Sequence, residues 1–411
     1  MELLYRPTPI KKKFLTPGVI ILILLAINAI VFLVIRFFFG LGSMTNLNNQ
    51  QPWGIWIAID VAAGVALAAG GFTSAALGHI IKKQRYYVIL RPALLTAMLG
   101  YTFVAFGVFV DLGRYYSIWH PLFMWNGTSP LFEVGLCVMI YATVLYIEFL
   151  PIVTEKFIGK VRWRGILSKP VDSFLRFLHR GLGKTMFVFI IAGVVLSTLH
   201  QSSLGTLMVI AGPKMHPLWQ TPILPLLFLI SAIAVGFPMI IFESLIASRC
   251  LGLNMEMEVL SPLGRRVAPI LGIYLAVKLI DMVIRGTYVY LVEINSQSIM
   301  FVVEIVIGII IPLRMLFSNK VLKSPLWLFI ASTLVVAGVL INRINCFLVA
   351  YSPPYALESY FPSVGEISVT IGFVAILVLL YRAFVMFFPV ISLPDLRLSP
   401  KTKYTIMGAE K

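Results

Sequence analysis

The sequence predicts an all-α, polytopic membrane protein with about ten transmembrane helices. Hydrophobic residues make up 59% and charged residues 12% of the 411 residues, whereas charged residues make up about 25% of soluble domains. The apolar residues lie in continuous runs of about 20, the helix length that crosses a hydrocarbon core of about 30 Å. Because these runs do not alternate between apolar and polar residues, they favour helices over a β-barrel.

The first five apolar runs predict five helices in the N-terminal half. The first, about 17–39, follows a basic N-terminal segment, and the second, about 53–80, begins at a Pro-Trp pair. The third, about 87–111, follows a basic turn, and the fourth, about 130–152, follows a loop rich in aromatic residues. The fifth, about 185–211, follows a long basic loop. We expect the second to fifth spans to form one bundle within residues 53–211.

The next five apolar runs predict the remaining helices. The sixth covers about 219–247, the ninth about 325–350 and the tenth about 365–390. The seventh, about 267–290, and the eighth, about 297–317, carry internal charges. An even number of spans places both termini on the same side of the membrane.

The basic residues predict the orientation of these spans. Of the 33 Lys and Arg residues, 25 fall in predicted inner segments, four in outer segments and four within spans. Cytoplasmic loops carry such an excess of Lys and Arg, so both termini are predicted to be cytoplasmic. The net charge of +16 lies in short loops that contact anionic lipid, which argues against a nucleic-acid partner.

The loops predict contacts with the bilayer surface. The outer loops are short and rich in Pro, Trp and Tyr, for example at Trp119 and at Tyr355. Such residues suit both the aromatic belt of a membrane protein and a docking surface for another subunit, and both interpretations stay open. On the inner side, the sequence VDSFLRFLHR at 171–180 is basic and amphipathic, which predicts an interfacial helix.

Ionisable residues within the outer part of the bilayer predict a functional site. A charged group in the membrane costs several kcal/mol unless it is paired or hydrated. The second to fifth spans carry such groups at similar predicted outer depth: Asp60, Asp111 with Arg114, Glu133, and His200 next to Gln201. Asp111 and Arg114 have the i,i+3 spacing of an ion pair on one helix face. Structural ion pairs are the alternative for the whole set.

These residue types suit the binding and reduction of a quinone ring. A ring with two carbonyl oxygens needs hydrogen-bond donors at each oxygen and groups that exchange protons. Histidine titrates in the useful range, and burial raises the pKa of a carboxyl group towards it. We therefore predict an outer quinone site built by the acids and the histidine of these four spans.

Further charges lie deeper in the predicted spans. A relay that carries protons inward would use Glu133 and the residues Glu148, Glu243, Lys278, Asp281 and Glu304. The alternative is that these residues form two or three structural ion pairs, since Lys278 and Asp281 are spaced i,i+3. Both alternatives stay open at this stage.

Haem and metal centres are not predicted in this chain. A b-type haem in the bilayer needs two axial histidines on facing helices, and of the five histidines only His200 lies clearly inside a span. Cys137, Cys250 and Cys346 are far apart and form no CxxC pair, so neither an iron–sulfur cluster nor a zinc site is expected.

Several motifs together resemble those of a known family, the NrfD/polysulfide-reductase membrane subunits, and most closely its HybB-type branch from periplasm-facing [NiFe] hydrogenases. The motifs are QPWGIWIAID at 51–60, RPALL at 91–95, DLGRY at 111–115, LFE at 131–133, HQSSLG at 200–205 and HPLWQ at 216–220. The resemblance implies a ten-helix subunit of the bacterial inner membrane without redox cofactors of its own.

The same resemblance implies partners and site residues. The partners would be a periplasmic ferredoxin-like iron–sulfur subunit and the small and large hydrogenase subunits, or in some complexes a multihaem cytochrome. The exchangeable substrate would be menaquinone or ubiquinone, held by the second to fifth spans at Asp60, Asp111, Arg114, Glu133 and His200. Glu148 matches an acid of the family's proton path.

Two other classes of function compete with the hypothesis of a quinone-reactive electron-transfer subunit. A secondary transporter would show an inverted repeat with broken helices at mid-membrane, and the sequence shows no convincing repeat. A membrane anchor would use its embedded charges for structure alone.

Overall fold

The ten-span, all-α architecture is confirmed. A computed structural model describes residues 5–75, 86–159, 168–356 and 359–394. Within these ranges, ten helices are long and apolar enough to cross a membrane. They are α1 Pro17–Phe39, α2 Trp56–Thr73, α3 Tyr87–Asp111, α4 Pro130–Phe157, α5 Ser168–Ala211, α6 Leu224–Leu251, α7 Met257–Ile284, α8 Ser296–Leu316, α9 Pro325–Val349 and α10 Val364–Phe387.

The fifth helix differs most from its prediction. The predicted interfacial helix at 171–180 is not separate, because α5 runs without a break through 44 residues. Its first turns remain amphipathic, and Arg176 pairs with Asp172 at the surface. A helix of this length reaches about 66 Å, about twice the hydrocarbon thickness. The N-terminal part of α5 therefore extends beyond the membrane.

Several other helix ends differ from their predicted positions. The helix α4 continues through Pro151, and α7 begins ten residues before its predicted start and includes Pro262 and Pro269. Prolines are tolerated within membrane helices because neighbouring groups satisfy the freed backbone carbonyls. Conversely, α6 begins five residues later than predicted, since residues 216–222 form irregular turns. The predicted residues 76–80 of the second span lie outside the described ranges.

The helices pack as two four-helix bundles joined side by side. The helices α2 to α5 contact one another in a ring, and α6 to α9 do the same. The α5–α6 and α2–α6 contacts join the bundles, and α2 also contacts α9. The helices α1 and α10 form a pair, and α10 packs against α2 and α3 of the first bundle.

The two ends of the described chain are tied together. The strand β1, Tyr5–Thr8, pairs antiparallel with β2, Ile391–Pro394. This two-stranded sheet brings the N- and C-terminal segments to the same side of the helical bundle. The sheet fits the predicted even number of spans, whereas the side of the membrane that it occupies stays a prediction.

Within the described residues, three segments of the spans have π-helical geometry. They are Trp56–Ala63 in α2, Val306–Ile310 in α8 and Asn345–Val349 in α9. A π-helical turn adds a residue to the helix and is frequent at functional sites. The first contains Asp60, and Asn345 of the third bonds to Glu304. Polar residues of interest thus lie at the irregular parts of otherwise regular helices.

Candidate functional site

Polar residues in and beside the first bundle form two clusters. The outer cluster consists of Asp60, Asp111, Glu366 and Thr370 with Arg36. The histidine cluster consists of Tyr101, Tyr141, Ser197, His200 and Gln201. A third group in the second bundle, the Glu304 cluster, consists of Trp219, Lys278, Glu304, Asn342 and Asn345.

The position of Asp60 in the outer cluster is fixed by α3 and α10. The Thr370 hydroxyl of α10 donates a hydrogen bond of 2.8 Å to Asp60 Oδ2. On the other side, a β-carbon at Gly107 would lie 3.3 Å from the Asp60 β-carbon. The missing side chain at Gly107 therefore lets α3 pack closely against the π-helical turn that carries Asp60.

The predicted Asp111–Arg114 ion pair is wrong. The helix α3 ends at Asp111, so Arg114 lies in a loop and is exposed, and the i,i+3 geometry of a helix is lost. The cation near Asp111 is instead Arg36 of α1, which is 1% exposed. It donates hydrogen bonds of 2.7 Å to Val110 O and 2.5 Å to Leu112 O, at the carbonyl end of α3. Asp111 Oδ1 accepts no hydrogen bond within the described chain.

Glu366 connects α10 to the start of α2. Its carboxylate accepts hydrogen bonds from Tyr360 Oη at 2.6 Å and from the backbone N–H of Asn46 at 3.1 Å. Its carbonyl accepts one from Trp56 Nε1 at 3.1 Å. Burial and the hydrogen bond to Glu366 raise the pKa of Tyr360, so this phenol stays protonated as a donor. These bonds hold the beginning of α2, and hence Asp60, in place.

Sequence reasoning missed Arg36, Glu366 and Thr370 of the outer cluster. Arg36 was recognisable as the one charge in the first apolar run. Glu366 follows Ser363 by three residues, which is the spacing of a capping box, and the structure has that capping box. No sequence signal pairs Thr370 with Asp60, because 310 residues separate them.

The histidine cluster lies at the interface of α3, α4 and α5. The side chains of His200 and Gln201 are fully buried, and neither has a hydrogen-bonding partner for its two polar atoms within the described chain. The Tyr101 ring lies 5.7 Å from the His200 ring and 4.3 Å from the Tyr141 ring. Ser197 faces both tyrosines. Tyr101, Tyr141 and Ser197 carry no charge, so the search for charged groups missed them.

The two clusters do not share one depth, contrary to the sequence prediction. His200 contacts Tyr101, which precedes Asp111 by ten residues on α3. Ten residues of helix correspond to about 15 Å along the axis. His200 therefore lies nearer the middle of the bundle than Asp111, which is at the helix end. Counting residues from the end of a span does not give relative depth, because the depth of His200 is set by its contact with Tyr101 on the neighbouring helix.

Glu133 and Glu148 lie on one face of α4. Glu133 is exposed in the first turn of the helix, and Glu148 is partly buried 15 residues further on. Opposite Glu148, a β-carbon at Gly193 of α5 would lie 2.9 Å from Glu148 Oε1. Glu243 of α6 lies beside Thr96 of α3 and Tyr381 of α10.

The Glu304 cluster is a hydrogen-bonded ion pair. Lys278 Nζ donates to Glu304 Oε1, and Asn342 donates to the same oxygen at 2.8 Å. The other oxygen accepts from Trp219 Nε1 at 2.9 Å and from Asn345 Nδ2 at 2.8 Å. Lys278 and Glu304 are 5% and 1% exposed. The cost of burying both charges is offset by these bonds.

Asp281 has its own partners. Its carboxylate bonds to Arg285 at 2.8 Å, four residues along α7, and accepts a hydrogen bond of 2.9 Å from the Thr221 hydroxyl. Lys278 and Asp281 are therefore not an i,i+3 pair, because each has its partner elsewhere. Arg285 also donates to Pro217 O and Gln220 O, which fixes the turns before α6.

The described histidines do not fit a bis-histidine haem. His179 shares a hydrogen bond with Thr154 near the C-terminal end of α4. His120 packs on Trp119 in the outer loop, and His216 packs on Tyr290. These positions leave His200 without a facing histidine among the described residues. No group of three or more His, Cys, Asp or Glu side chains in the described ranges could hold a metal ion.

Comparison with known proteins identifies relatives along most of the chain. The profile of the family described as "Polysulphide reductase, NrfD" matches residues 43–352. A Nitratidesulfovibrio vulgaris protein is 36% identical over 92% of this chain and 96% of its own length. A probable Ni/Fe-hydrogenase 2 b-type cytochrome subunit of Escherichia coli is 31% identical over 95% of this chain and 96% of its own length.

A more distant relative is named as a subunit of a quinone reductase. The integral membrane subunit of the menaquinone reductase of Nitratidesulfovibrio vulgaris is 25% identical over 82% of both chains. The matched region 43–352 contains every predicted site residue from Asp60 to Glu304.

Proposed function

Because the chain belongs to the polysulphide reductase NrfD family, with relatives that are membrane subunits of hydrogenase and reductase complexes, we propose that it passes electrons between an iron–sulfur partner and membrane quinone. Reduction of a quinone to a quinol takes up two electrons and two protons. The partner would supply the electrons, and this chain would bind the ring and deliver the protons.

The observation that carries the proposal is the set of unpartnered polar atoms of His200 and Gln201. Buried polar groups nearly always have a hydrogen-bonding partner, and here four such atoms have none within the described chain. A quinone carbonyl accepts hydrogen bonds and suits donors of this kind. We place the headgroup in the bundle α2 to α5, between this pair and Asp60.

The separation of Asp60 and His200 supports a ring between them. Asp60 packs at Gly107 and His200 packs at Tyr101, both on α3. These α3 positions are six residues, or about 9 Å, apart along the axis. A ring with one carbonyl at each end and a hydrogen bond of about 2.8 Å at each carbonyl covers a distance of this order. Asp111, Arg114 and Glu133 would line the outer approach to the site.

We propose that Glu133, Glu148 and Glu243 exchange the protons. Glu148 lies beside Tyr141 of the histidine cluster, where it contacts α5 at Gly193, and Glu133 is exposed in the first turn of the same helix. Glu243 lies where α3, α6 and α10 meet. A carboxyl group inside the membrane without a basic partner is a ready proton carrier, since its neutral form costs little to bury.

Two alternatives stay open for Lys278, Asp281 and Glu304. The four donors on Glu304 and the separate partners of Asp281 support a structural role. A cavity lined by Thr221, Lys278 and Asp281 supports a proton-carrying role, because water there would reach the ion pair. A substitution of Lys278 separates these roles, because it should lower stability if the role is structural and quinone turnover if the role is to carry protons.

The outer loop between α3 and α4 is the proposed docking surface. It exposes Tyr116, Phe123 and Trp125, with 65%, 74% and 75% of each side chain accessible. Aromatic residues are enriched in protein interfaces. We propose that a periplasmic ferredoxin-like iron–sulfur subunit binds here, with the hydrogenase subunits beyond it. This arrangement requires the protein to lie in the bacterial inner membrane with its termini in the cytoplasm.

The substitution Glu133→Gln tests the proposal in the assembled complex in membranes. We expect quinone-linked turnover to be lost, while electron transfer from the partner to an artificial dye is retained. Glu155→Gln is the matched control, since Glu155 lies on the same helix in an exposed ion pair with Arg91. Unchanged quinone turnover of Glu133→Gln would remove its assigned role. A complex that reduces quinone without this chain would make it a membrane anchor.

A further inference from the structure

We propose that Tyr101, Tyr141 and Ser197, together with internal water, form a proton path from Glu148 to His200. The inference rests on the proposed quinone function, and it adds three uncharged residues to that function. These residues lie between the acid that faces the inner half of the bundle and the histidine at the proposed headgroup site.

The three hydroxyl groups are fully enclosed and close to one another. Tyr101 and Ser197 are 0% exposed and Tyr141 is 1% exposed. The two tyrosine rings pack edge to face at 4.3 Å, and Ser197 faces both of them. The Tyr101 ring then contacts the His200 ring. Side chains of α3, α4 and α5 thus form one continuous polar strip.

Glu148 joins the strip at Gly193. A β-carbon at Gly193 would lie 2.9 Å from Glu148 Oε1 and 3.5 Å from Tyr141 Cε2. With glycine at this position the carboxyl group lies beside the tyrosine, whereas a β-carbon there would require the Glu148 carboxyl group to move. On α5, Gly193, Ser197 and His200 lie on one face, because they are separated by four and three residues.

The length of the strip fits a short chain of hydrogen bonds. From Gly193 to His200 is seven residues, or about 10.5 Å along α5. Hydrogen bonds of about 2.8 Å between oxygen atoms would cover this length in about four steps. Four steps have three intermediate positions, the number of hydroxyl groups in the strip, and a water molecule would bridge any two hydroxyl groups that lie too far apart to bond directly.

Unpartnered atoms indicate where the water molecules bind. Tyr101 Oη, Ser197 Oγ, both ring nitrogens of His200 and both amide atoms of Gln201 are buried without a hydrogen-bonding partner in the described ranges. A buried water molecule typically makes about three hydrogen bonds to such groups. Tyr101 Oη, Ser197 Oγ and one ring nitrogen of His200 are enough partners for one internal water molecule, and the other ring nitrogen of His200 stays available to the quinone.

The hydroxyl groups can pass a proton without a net chemical change. Each hydroxyl both donates and accepts a hydrogen bond. Glu148 releases one proton, each hydroxyl or water accepts a proton on one side and releases one on the other, and His200 takes up one proton. After the chain reorients, one proton has moved and no covalent group has changed.

Removal of single hydroxyl groups tests the path in the intact complex in membranes. The variants Tyr101→Phe, Tyr141→Phe and Ser197→Ala keep the packing and remove one oxygen each. We expect kcat for quinone-linked turnover to fall on the order of 10²-fold, the usual effect of losing a proton-transfer group, with KM for quinone unchanged. The solvent deuterium isotope effect should rise, and a small membrane-permeant weak acid should restore part of the rate.

Tyr146→Phe is the matched control. Tyr146 lies on α4 like Tyr141, but it is exposed and bonds to Thr102 on the outside of the bundle. Its loss should leave turnover and the isotope effect unchanged. Gly193→Ala is a second variant, because its new methyl group would displace the Glu148 carboxyl, and it should reproduce the kinetic defect even if a tyrosine variant fails to assemble.

The outcomes separate the path from the proposed function. If Glu148→Gln abolishes quinone turnover while the hydroxyl variants and Gly193→Ala do not change it, the path is overturned and the proposed function stands. If KM for quinone rises with kcat unchanged, the hydroxyl groups bind the ring and the path is overturned. If Glu148→Gln retains full quinone turnover, the proton role of Glu148 falls and the path falls with it.

Discussion

Glu304 and His200 are both buried, but they differ strongly in the number of hydrogen bonds that they make. Four donors surround the Glu304 carboxylate. His200 has no partner for either ring nitrogen within the described chain. A group with all its hydrogen bonds made keeps one position and one charge state, whereas an unpartnered group is free to bind a ligand or a proton. This contrast supports a structural role for the second bundle and a chemical role for the first.

Replacement of Lys278 by methionine measures the role of the ion pair. We expect Lys278→Met to lower the free energy of unfolding by about 3–5 kcal/mol, because Glu304 would remain as a buried charge without its cation. Thermal unfolding of the purified protein in detergent would show this loss. Arg176→Ala is the control, since its pair with Asp172 is exposed and surface pairs contribute about 0–1 kcal/mol. Unchanged stability with lost quinone turnover would favour the proton-carrying role instead.

For single residues, the sequence shows which ionisable groups lie within the spans better than it shows which side chains they contact. Charged residues in apolar runs are conspicuous, so Asp60, His200 and Glu304 were found. Their partners were not, because Thr370, Tyr101 and Asn342 are uncharged and lie on other helices. Contacts between helices depend on rotation and depth, and a single sequence specifies neither of them closely.

Among the structural elements, helix number was predictable and helix ends were not. Ten apolar runs gave ten helices, since the lipid core requires every backbone group to be bonded within the helix. The ends depend on groups outside the lipid, where α5 continues for several turns and α7 begins early. Proline does not end these helices, since Pro151 lies inside α4 and Pro262 lies inside α7.

Close contact between α8 and α9 gives a prediction for a helix pair. A β-carbon at Gly338 would overlap the backbone of Gly308, so the two helices touch at glycine. We expect Gly338→Ala to push the helices apart and to destabilise the protein by about 1–3 kcal/mol, as overpacking does. Thermal unfolding in detergent is the measurement.

Gly272→Ala is the control for this helix pair. A β-carbon at Gly272 of α7 would meet no atom within 4 Å. The higher helix propensity of alanine should leave stability unchanged or raise it by up to about 1 kcal/mol. Equal stability of the Gly338 and Gly272 variants would contradict the close contact of α8 and α9.

For the whole molecule, the distribution of Lys and Arg predicts an orientation that the fold makes testable. The β1–β2 sheet joins the terminal segments. Lys12 lies close to Gly252, just beyond the end of α6. The N-terminal segment, the C-terminal strand and the end of α6 are therefore neighbours on one side. The excess of basic residues in the predicted inner segments predicts that this side faces the cytoplasm.

Chemical labelling of the native Cys250 tests this orientation without an engineered cysteine. Cys250 at the end of α6 is exposed, whereas Cys137 and Cys346 are buried. We expect a membrane-impermeant maleimide to label the protein in inside-out vesicles and not in right-side-out vesicles. Cys250→Ser should abolish the label. Labelling of right-side-out vesicles at Cys250 would reverse the predicted topology and move the proposed docking surface to the cytoplasm.

The pairing of the chain ends has a consequence for how the protein is made. The strand β1 and the helix α1 leave the ribosome before the other elements described, whereas their partners β2 and α10 are the last of those elements. At about 5–20 residues per second, roughly 20 to 80 s would pass between them. During this interval α1 must remain in the bilayer without its partner helix, which suits a segment whose only charge is Arg36 near its end. Assembly is complete only when the last strand closes the sheet.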